Sequence, residues 1–149
     1  MVRPLQKNTP GKTLVELSLR NQFRMDLAEE TLYDQLGEEN LRLLVDRFYD
    51  LVFENPQISR LFKTDKNVIK EKQRLFLTQF LGGPPLYSAQ YGHPRLRARH
   101  LPHAINSDDA VAWLSCMSTS ISSLPVEQKL KDDMMERLIP TAMFMVNRE

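Results

Sequence analysis

Three histidines stand close together in the sequence, and histidine is the commonest protein ligand for metals. His93, His100 and His103 lie within eleven residues, with Pro94 and Pro102 among them. A zinc site would need about three or four nitrogen, sulfur or carboxylate ligands at tight spacing, and the neighbouring sequence supplies no such set. A metal whose other positions are filled by a cofactor needs only one histidine. The cluster therefore indicates either ordinary surface histidines or one ligand to a cofactor-borne metal.

Three polar side chains fall on helix faces that are otherwise apolar. They are Tyr49 beside Phe48, Gln73 between Ile69 and Phe76, and Trp113 with its indole N–H. Taken singly, each has a structural interpretation, because a buried polar group commonly finds a backbone partner. A buried donor without a partner costs about 1–3 kcal/mol. Three of them on three predicted helices therefore either satisfy one another or surround a polar guest.

The helices that carry Tyr49 and Gln73 are predicted from apolar residues at three- and four-residue spacing. The first helix follows Gly37 and ends at Asn55-Pro56, because the residue before a proline disfavours the helical conformation. Its stripe consists of Leu41, Leu44, Val45, Phe48, Leu51 and Val52. After a short turn over residues 57–62, Thr64 or Asp65 can cap the second helix. The inward stripe of that helix consists of Ile69, Gln73, Phe76, Leu77 and Phe80.

The four residues Gly82-Gly83-Pro84-Pro85 stop the second helix. Residues 82–93 hold three glycines and two prolines, which predicts an irregular loop, and the tyrosines at 87 and 91 indicate that this loop covers something. Pro94 suits the first position of a short helix, where no backbone donor is needed. That helix is predicted to end near Leu101-Pro102, with His100 on its last turn.

Two longer helices complete an all-α prediction. Asn106 or Ser107 caps the first, with Asp108 and Asp109 at its positive end. Its inward residues are Ala110, Trp113, Leu114, Met117 and Ile121. The last helix begins near Val126, and its inward residues are Leu130, Met134, Leu138, Ala142 and Met145. No internal repeat or β-hairpin signal interrupts this pattern, so the class is all-α.

Length and charge restrict the remaining classes of function. The 149 residues fit one compact domain, and 20 Lys and Arg against 19 Asp and Glu give no basic surface for nucleic acid or anionic lipid. No apolar run approaches the roughly 20 residues that span a bilayer, and the first residues lack a signal core. We therefore expect a cytoplasmic protein with neither nucleic acid nor membrane as a partner. Cys116 is the only cysteine, which excludes an internal disulfide.

The first thirty residues differ from the rest. The first dozen are basic without any acidic side chain, and they predict a flexible arm. Residues 12–30 are ambiguous, because Val15, Leu17 and Leu19 alternate as in a strand while Val15, Leu19, Phe23 and Leu27 recur as in a helix. We favour a helix there.

Four stretches of the sequence carry a specific resemblance. They are Phe80-Leu81-Gly82-Gly83-Pro84-Pro85-Leu86-Tyr87, Gly92-His93-Pro94, Leu96-Arg97-Ala98-Arg99-His100 and Ala112-Trp113-Leu114-Ser115-Cys116-Met117. With these motifs, the chain from about residue 31 to residue 147 closely resembles the group II truncated haemoglobins. The resemblance implies a truncated globin fold over residues 31–149, in which two antiparallel helix pairs sandwich haem b. Residues 1–30 would then be an N-terminal extension.

The resemblance also implies roles for single residues. His100 falls on the family's iron-holding histidine, and Tyr49, Gln73 and Trp113 fall on the cage around the iron-bound ligand, where we place the catalytic residues. The implied cofactor-binding residues besides His100 are Phe62, Lys72, Phe76, Tyr87 and Arg99. Among these, the side chains of Lys72, Tyr87 and Arg99 would bind the haem propionates.

Two positions depart from what is common among globins. Ile69 occupies the place of the distal histidine that many globins have, which indicates a drier and more crowded ligand side. His103 stands where relatives commonly carry an apolar aromatic residue, and its nearness to His100 raises the question of whether it contacts a propionate.

The implied function is reversible binding of O2, and of CO and NO. If Tyr49 and Trp113 each contribute about 1.5–3 kcal/mol to holding O2, its release slows roughly 10²-fold or more. Slow release indicates redox chemistry, such as NO dioxygenase-like or weak peroxidase activity, rather than bulk oxygen transport. Such chemistry requires an unidentified reductase, and the chain could form a homodimer. Two alternatives stay open: a cofactor-free helical interaction module, and a gas sensor that acts through a partner.

Overall fold

The computed structural model of the protein describes residues 13–16 and 30–148. The chain divides into two compact units, residues 1–30 and residues 31–149. In the first unit, residues 14–16 are helical. The rest of the predicted basic arm and of the predicted helix over residues 12–30 lies outside the described residues. The assignment of residues 1–30 as an extension therefore stays a prediction.

The regular secondary structure of residues 31–148 is entirely helical, without a strand among them. There are seven α-helices and one 3₁₀ turn in this part of the chain: α1 (Leu32–Leu36), α2 (Glu38–Glu54), the turn Ser59–Leu61, α3 (Lys66–Phe80), α4 (Leu86–Tyr91), α5 (Leu96–His100), α6 (Ser107–Ser122) and α7 (Gln128–Phe144). The all-α prediction is confirmed. No helix in the described ranges has the length and apolarity to span a bilayer.

The helices α3 and α6 start at polar caps, as the sequence predicts. The Asp65 carboxylate accepts hydrogen bonds from the backbone N–H groups of Asn67 and Val68, which fixes the start of α3. At the start of α6, Asn106 and Asp109 form a reciprocal capping box, each side chain accepting from the backbone N–H of the other. These caps set the direction of the helices that carry Gln73 and Trp113.

The core forms where α2 packs against both α3 and α6, while α6 packs against α7. The predicted stripe of α2 is buried except for the partly exposed Leu51, and Leu41, Leu44, Phe48 and Val52 are fully inaccessible to solvent. From the opposite layer, α6 and α7 contribute the buried side chains Met117, Ile121, Met134 and Leu138. Two helix pairs, α2 with α3 and α6 with α7, therefore form the two layers of the fold.

The prediction of an irregular loop over residues 82–93 is wrong in part, because α4 occupies Leu86–Tyr91. A side chain of α3 stabilises this helix: the Gln79 side chain accepts from the Ser88 N–H at 2.9 Å and donates to the Ser88 hydroxyl at 2.8 Å. The start of the next helix also differs. Arg95 has a left-handed φ of 42°, so α5 begins at Leu96 rather than at Pro94. His100 is the last residue of α5, on the predicted last turn.

Candidate functional site

A cavity of about 340 Å³ lies among α2, α3, α5, α6 and α7. This volume falls within the roughly 300–1,000 Å³ of small-molecule sites. Every site residue proposed from the sequence lines this one cavity: Tyr49, Phe62, Lys72, Gln73, Phe76, Tyr87, Arg99, His100 and Trp113. Residues far apart in the chain are therefore brought together around a single space.

His100 is the histidine whose ring is fixed by its own helix. Its Nδ1 lies 2.6 Å from the backbone carbonyl oxygen of Leu96, one turn earlier in α5. A carbonyl oxygen only accepts hydrogen bonds, so Nδ1 carries the proton and donates. In the neutral ring this bond selects the tautomer whose other nitrogen, Nε2, has the lone pair with which an imidazole ligates a metal.

The other two histidines are held differently. His93 accepts a hydrogen bond at Nδ1 from the backbone N–H of Arg95 and does not line this cavity. His103 lines the cavity, but it is exposed to solvent. Among the described residues, no group of three or more His, Cys, Asp or Glu side chains could hold a bare metal ion.

The three polar donors predicted to face inward all border the cavity. Tyr49 is 2% exposed, and its ring makes edge contacts with Phe48 at 5.0 Å and with Phe62 at 5.9 Å. Trp113 packs edge-on against Phe48 at 5.1 Å. Within residues 30–148, the Tyr49 hydroxyl, the Gln73 amide and the Trp113 indole N–H have no hydrogen-bond partner. No fully buried side-chain N or O atom among the described residues lacks a partner, so these three groups are accessible from the open space of the cavity. These donors are available to a guest in the cavity.

Burial of Tyr49 also fixes its protonation state. Removal of the phenol from water raises its pKa well above the ordinary value. The hydroxyl therefore keeps its proton across the physiological range of pH and acts as a hydrogen-bond donor.

Cationic and phenolic side chains gather at one edge of the cavity. Arg99 donates to the Tyr87 hydroxyl at 2.9 Å and to the Tyr91 carbonyl at 2.8 Å. The Lys72 ammonium lies 5.0 Å from the centre of the Tyr91 ring. No carboxylate of the described residues forms a salt bridge with Lys72 or Arg99. Two unpaired cations suit the two carboxylates of a haem.

Apolar side chains form the remaining walls, as a flat porphyrin requires. They include Ile58, Phe62, Ile69, Phe76, Ile105, Ala110, Leu138 and Met145. Ile69 lines the cavity on the same helix as Gln73, one turn earlier. Haem fits the combination of an oriented imidazole, apolar walls, cations at one edge and donors that, in the described part of the chain, have no hydrogen-bond partner.

One group at the cavity was not expected from the sequence. The Asp108-Asp109 pair indicated only helix-end electrostatics, but Asp109 is 2% exposed and lines the cavity. Its carboxylate accepts hydrogen bonds from Arg60 at 2.8 and 2.9 Å and from Gln57 at 2.9 Å. Burial opposes its ionisation, but the Asn106 N–H, Gln57 and Arg60 together lower its pKa. Its position four residues before Trp113 was the available signal.

A family model described as bacterial-like globin matches residues 31–147 of the chain. The chain belongs to this globin family. Curated relatives agree with the match. The globin is 46% identical over 116 residues to group 2 truncated hemoglobin YjbI of Bacillus subtilis (strain 168), covering 78% of this chain and 88% of that protein. It is 34% identical over 122 residues to two-on-two hemoglobin-3 of Arabidopsis thaliana, covering 79% of this chain and 70% of that protein.

Solved structures show the same similarity for the globin's fold. The group II truncated hemoglobin from Bacillus anthracis superimposes with a TM-score of 0.76 at 44% identity, covering 79% of this chain and 92% of that one. The truncated oxygen-avid haemoglobin from Bacillus subtilis superimposes with a TM-score of 0.75 at 45% identity, covering 78% of this chain and 99% of that one. The predicted truncated globin fold is confirmed, and so is haem b as the cofactor. This globin therefore binds diatomic gases such as O2 through haem.

Proposed function

We propose that this globin holds O2 tightly and releases it slowly, with His100 as the iron ligand and Tyr49, Gln73 and Trp113 as the groups that retain the gas. One observation carries the proposal: three donors without a hydrogen-bond partner among the described residues border the same cavity as a histidine whose Nδ1 is held by its own helix. Haem, held by the residues of this cavity, would supply the iron that binds a diatomic gas.

The role of His100 rests on the hydrogen bond to Leu96. Because Nδ1 donates to a carbonyl oxygen of its own helix, the ring has a fixed tautomer and a fixed orientation. The bond also makes the imidazole a better electron donor at Nε2. The backbone of α5 thus orients the proposed ligand without help from another side chain.

The retention of O2 follows from the donors on the facing helices. The Tyr49 hydroxyl and the Trp113 indole N–H would donate hydrogen bonds to O2 held in this cavity and would stabilise partial negative charge on it. Each bond of this kind contributes about 1.5–3 kcal/mol in a dry pocket. Two such bonds slow dissociation roughly 10²-fold or more.

The remaining site residues have supporting roles in this proposal. Phe62 and Phe76 form apolar walls for the porphyrin, and Lys72, Tyr87 and Arg99 bind its propionates. The absence of a salt bridge to Lys72 or Arg99 from the described residues supports this assignment, because both cations are available for a carboxylate.

Slow release suits a protein that keeps O2 for a reaction rather than delivering it. The reaction we propose joins one NO, one O2 and one electron to give one nitrate ion, with the electron supplied by a reductase. Reduction of peroxide needs a base that moves a proton between two oxygens. Ile69 offers no such group on α3, so we expect the peroxidase activity to be weak.

The test combines an absorption spectrum with O2 kinetics on the purified protein. We expect a Soret band, a slow O2 dissociation rate, and a rate at least about 10²-fold faster in the Tyr49→Phe, Trp113→Phe double variant. An unchanged rate in the double variant would refute the role of these donors. A protein that binds no haem would instead favour the helical interaction module.

A further inference from the structure

We infer that Asp109 is a positioning residue that ties together two walls of the haem cavity, and that its contact with Arg60 keeps Trp113 in place. The inference rests on the proposed role of Trp113 in retaining O2. The two walls are the connection over residues 57–62 and the first turns of α6.

The carboxylate of Asp109 is surrounded by donors from both walls. Its Oδ1 accepts from Gln57 Nε2 at 2.9 Å and from Arg60 Nη2 at 2.8 Å. Its Oδ2 accepts from Arg60 Nη2 at 2.9 Å and from the Asn106 N–H at 3.0 Å. Both oxygens thus contact the 57–62 connection, and one of them also closes the capping box of α6. We call these contacts of Gln57 and Arg60 with Asp109 the distal clasp.

The burial of Asp109 makes the distal clasp rigid. Its side chain is 1% exposed, whereas the side chain of Arg60 is 49% exposed. A buried carboxylate is stable only when it is paired, so Asp109 keeps its partners in place rather than exchanging them for water. The exposed end of the clasp at Arg60 can be altered with little change in the core.

Each wall carries side chains that shape the cavity. The connection supplies Ile58, Leu61 and Phe62, and the Phe62 ring lies 5.9 Å from the ring of Tyr49. On the other wall, Trp113 follows Asp109 by four residues, one helical turn on the same face of α6. The distal clasp therefore fixes the separation between the Phe62 and Tyr49 side of the cavity and the Trp113 side.

The experiment must separate the clasp from the cap, because Asp109 serves both. Arg60→Gln removes the charged contact and leaves the Asn106 capping box intact. Asp109→Asn keeps the shape of the side chain and weakens both the distal clasp and the capping box. Asp34→Asn is a matched control: Asp34 closes the same kind of capping box with Thr31 at the start of α1, and it does not line the haem cavity.

O2 dissociation and the infrared stretching band of bound CO are measured on the haem-loaded proteins, together with the melting temperature. Arg60→Gln and Asp109→Asn should each speed O2 dissociation severalfold and broaden or split the CO band, because Trp113 then samples more than one position. Asp34→Asn should lower the melting temperature only. The double variant of Arg60 and Asp109 should be no faster than the more affected single variant.

An O2 rate and a CO band that match the unsubstituted protein in Arg60→Gln would overturn the inference, even if the melting temperature falls. Arg60 is half-exposed, so this variant keeps the test valid if Asp109→Asn fails to fold. If the Tyr49→Phe, Trp113→Phe double variant speeds release while the clasp variants do not, only the distal clasp is refuted. If neither the Tyr49→Phe, Trp113→Phe double variant nor the clasp variants change the O2 dissociation rate, the proposed retention of O2 is refuted together with the distal clasp.

Discussion

Arg99 and Tyr87 meet at the edge of the haem cavity, where the guanidinium donates a hydrogen bond of 2.9 Å to the phenol oxygen. The other terminal nitrogen of Arg99 donates to the Tyr91 carbonyl oxygen at 2.8 Å. The Arg99 side chain, which belongs to α5, is thereby held against α4. The structure thus presents a cation at a fixed place on the cavity edge, beside the ligand-bearing helix.

From this arrangement we predict that Arg99→Gln speeds the loss of haem. The exposed guanidinium would contribute about 1 kcal/mol toward a propionate, which corresponds to about fivefold in the rate of haem transfer to excess apomyoglobin. Arg95→Gln is the matched control, because Arg95 carries the same charge one turn earlier in the sequence and its side chain does not line this cavity. Equal rates for the two variants would speak against the propionate role.

Stability in acid should depend on Asp109. Its folded-state pKa is lowered, so the carboxylate stabilises the fold above its unfolded pKa of about 3.9. This contribution is lost as the pH falls through the lowered folded value. Asp109→Asn should therefore reduce the free energy of unfolding by about 1–3 kcal/mol at neutral pH, and by progressively less below about pH 4.

Urea unfolding at several pH values measures this effect, with Asp50→Asn as the control. Asp50 also has a lowered pKa, because Lys66 donates to it, but the pair lies at the surface and contributes little. If the loss of free energy of unfolding in Asp109→Asn stays constant from neutral pH into strong acid, stability does not depend on the ionisation of Asp109 and the prediction is wrong.

Ile69 should limit the peroxidase activity. Ile69→His would place a base on the cavity side of α3, and general acid–base catalysis contributes about 10²-fold or more. We expect a rise of about 10²-fold in the rate of oxidation of a phenolic dye by hydrogen peroxide, the low end of that effect. Ile69→Leu keeps the wall apolar and should leave the rate unchanged. A histidine variant no faster than the leucine variant would show that a missing base is not the limit.

Local sequence patterns were sufficient to predict much of this fold. The apolar stripe from Leu41 to Val52, the Asp65 cap and the Asn106 cap each depend on residues a few positions apart, and the structure has all of them. The motifs around His100 and Trp113 indicated which side chains share a cavity.

Features that depend on contacts between one element and another could not be predicted from local patterns. The helix α4 is stabilised by Gln79, and the glycines and prolines before it predicted a loop instead. The partners of Asp109 are 49 and 52 residues away in the chain. A sequence pattern at helical spacing therefore placed Asp109 correctly at a helix start but gave no sign of Arg60.

The most direct test of the account removes each histidine in turn. Circular dichroism confirms folding, and the Soret spectrum of the haem-loaded protein is compared for His100→Gly, His93→Ala and His103→Ala. We predict that only His100→Gly loses the spectrum of the unsubstituted protein and that added imidazole restores it, because the ligand would enter the space left by the ring. An unchanged spectrum in folded His100→Gly, or its loss in His103→Ala alone, would contradict the assignment of His100 as the iron ligand.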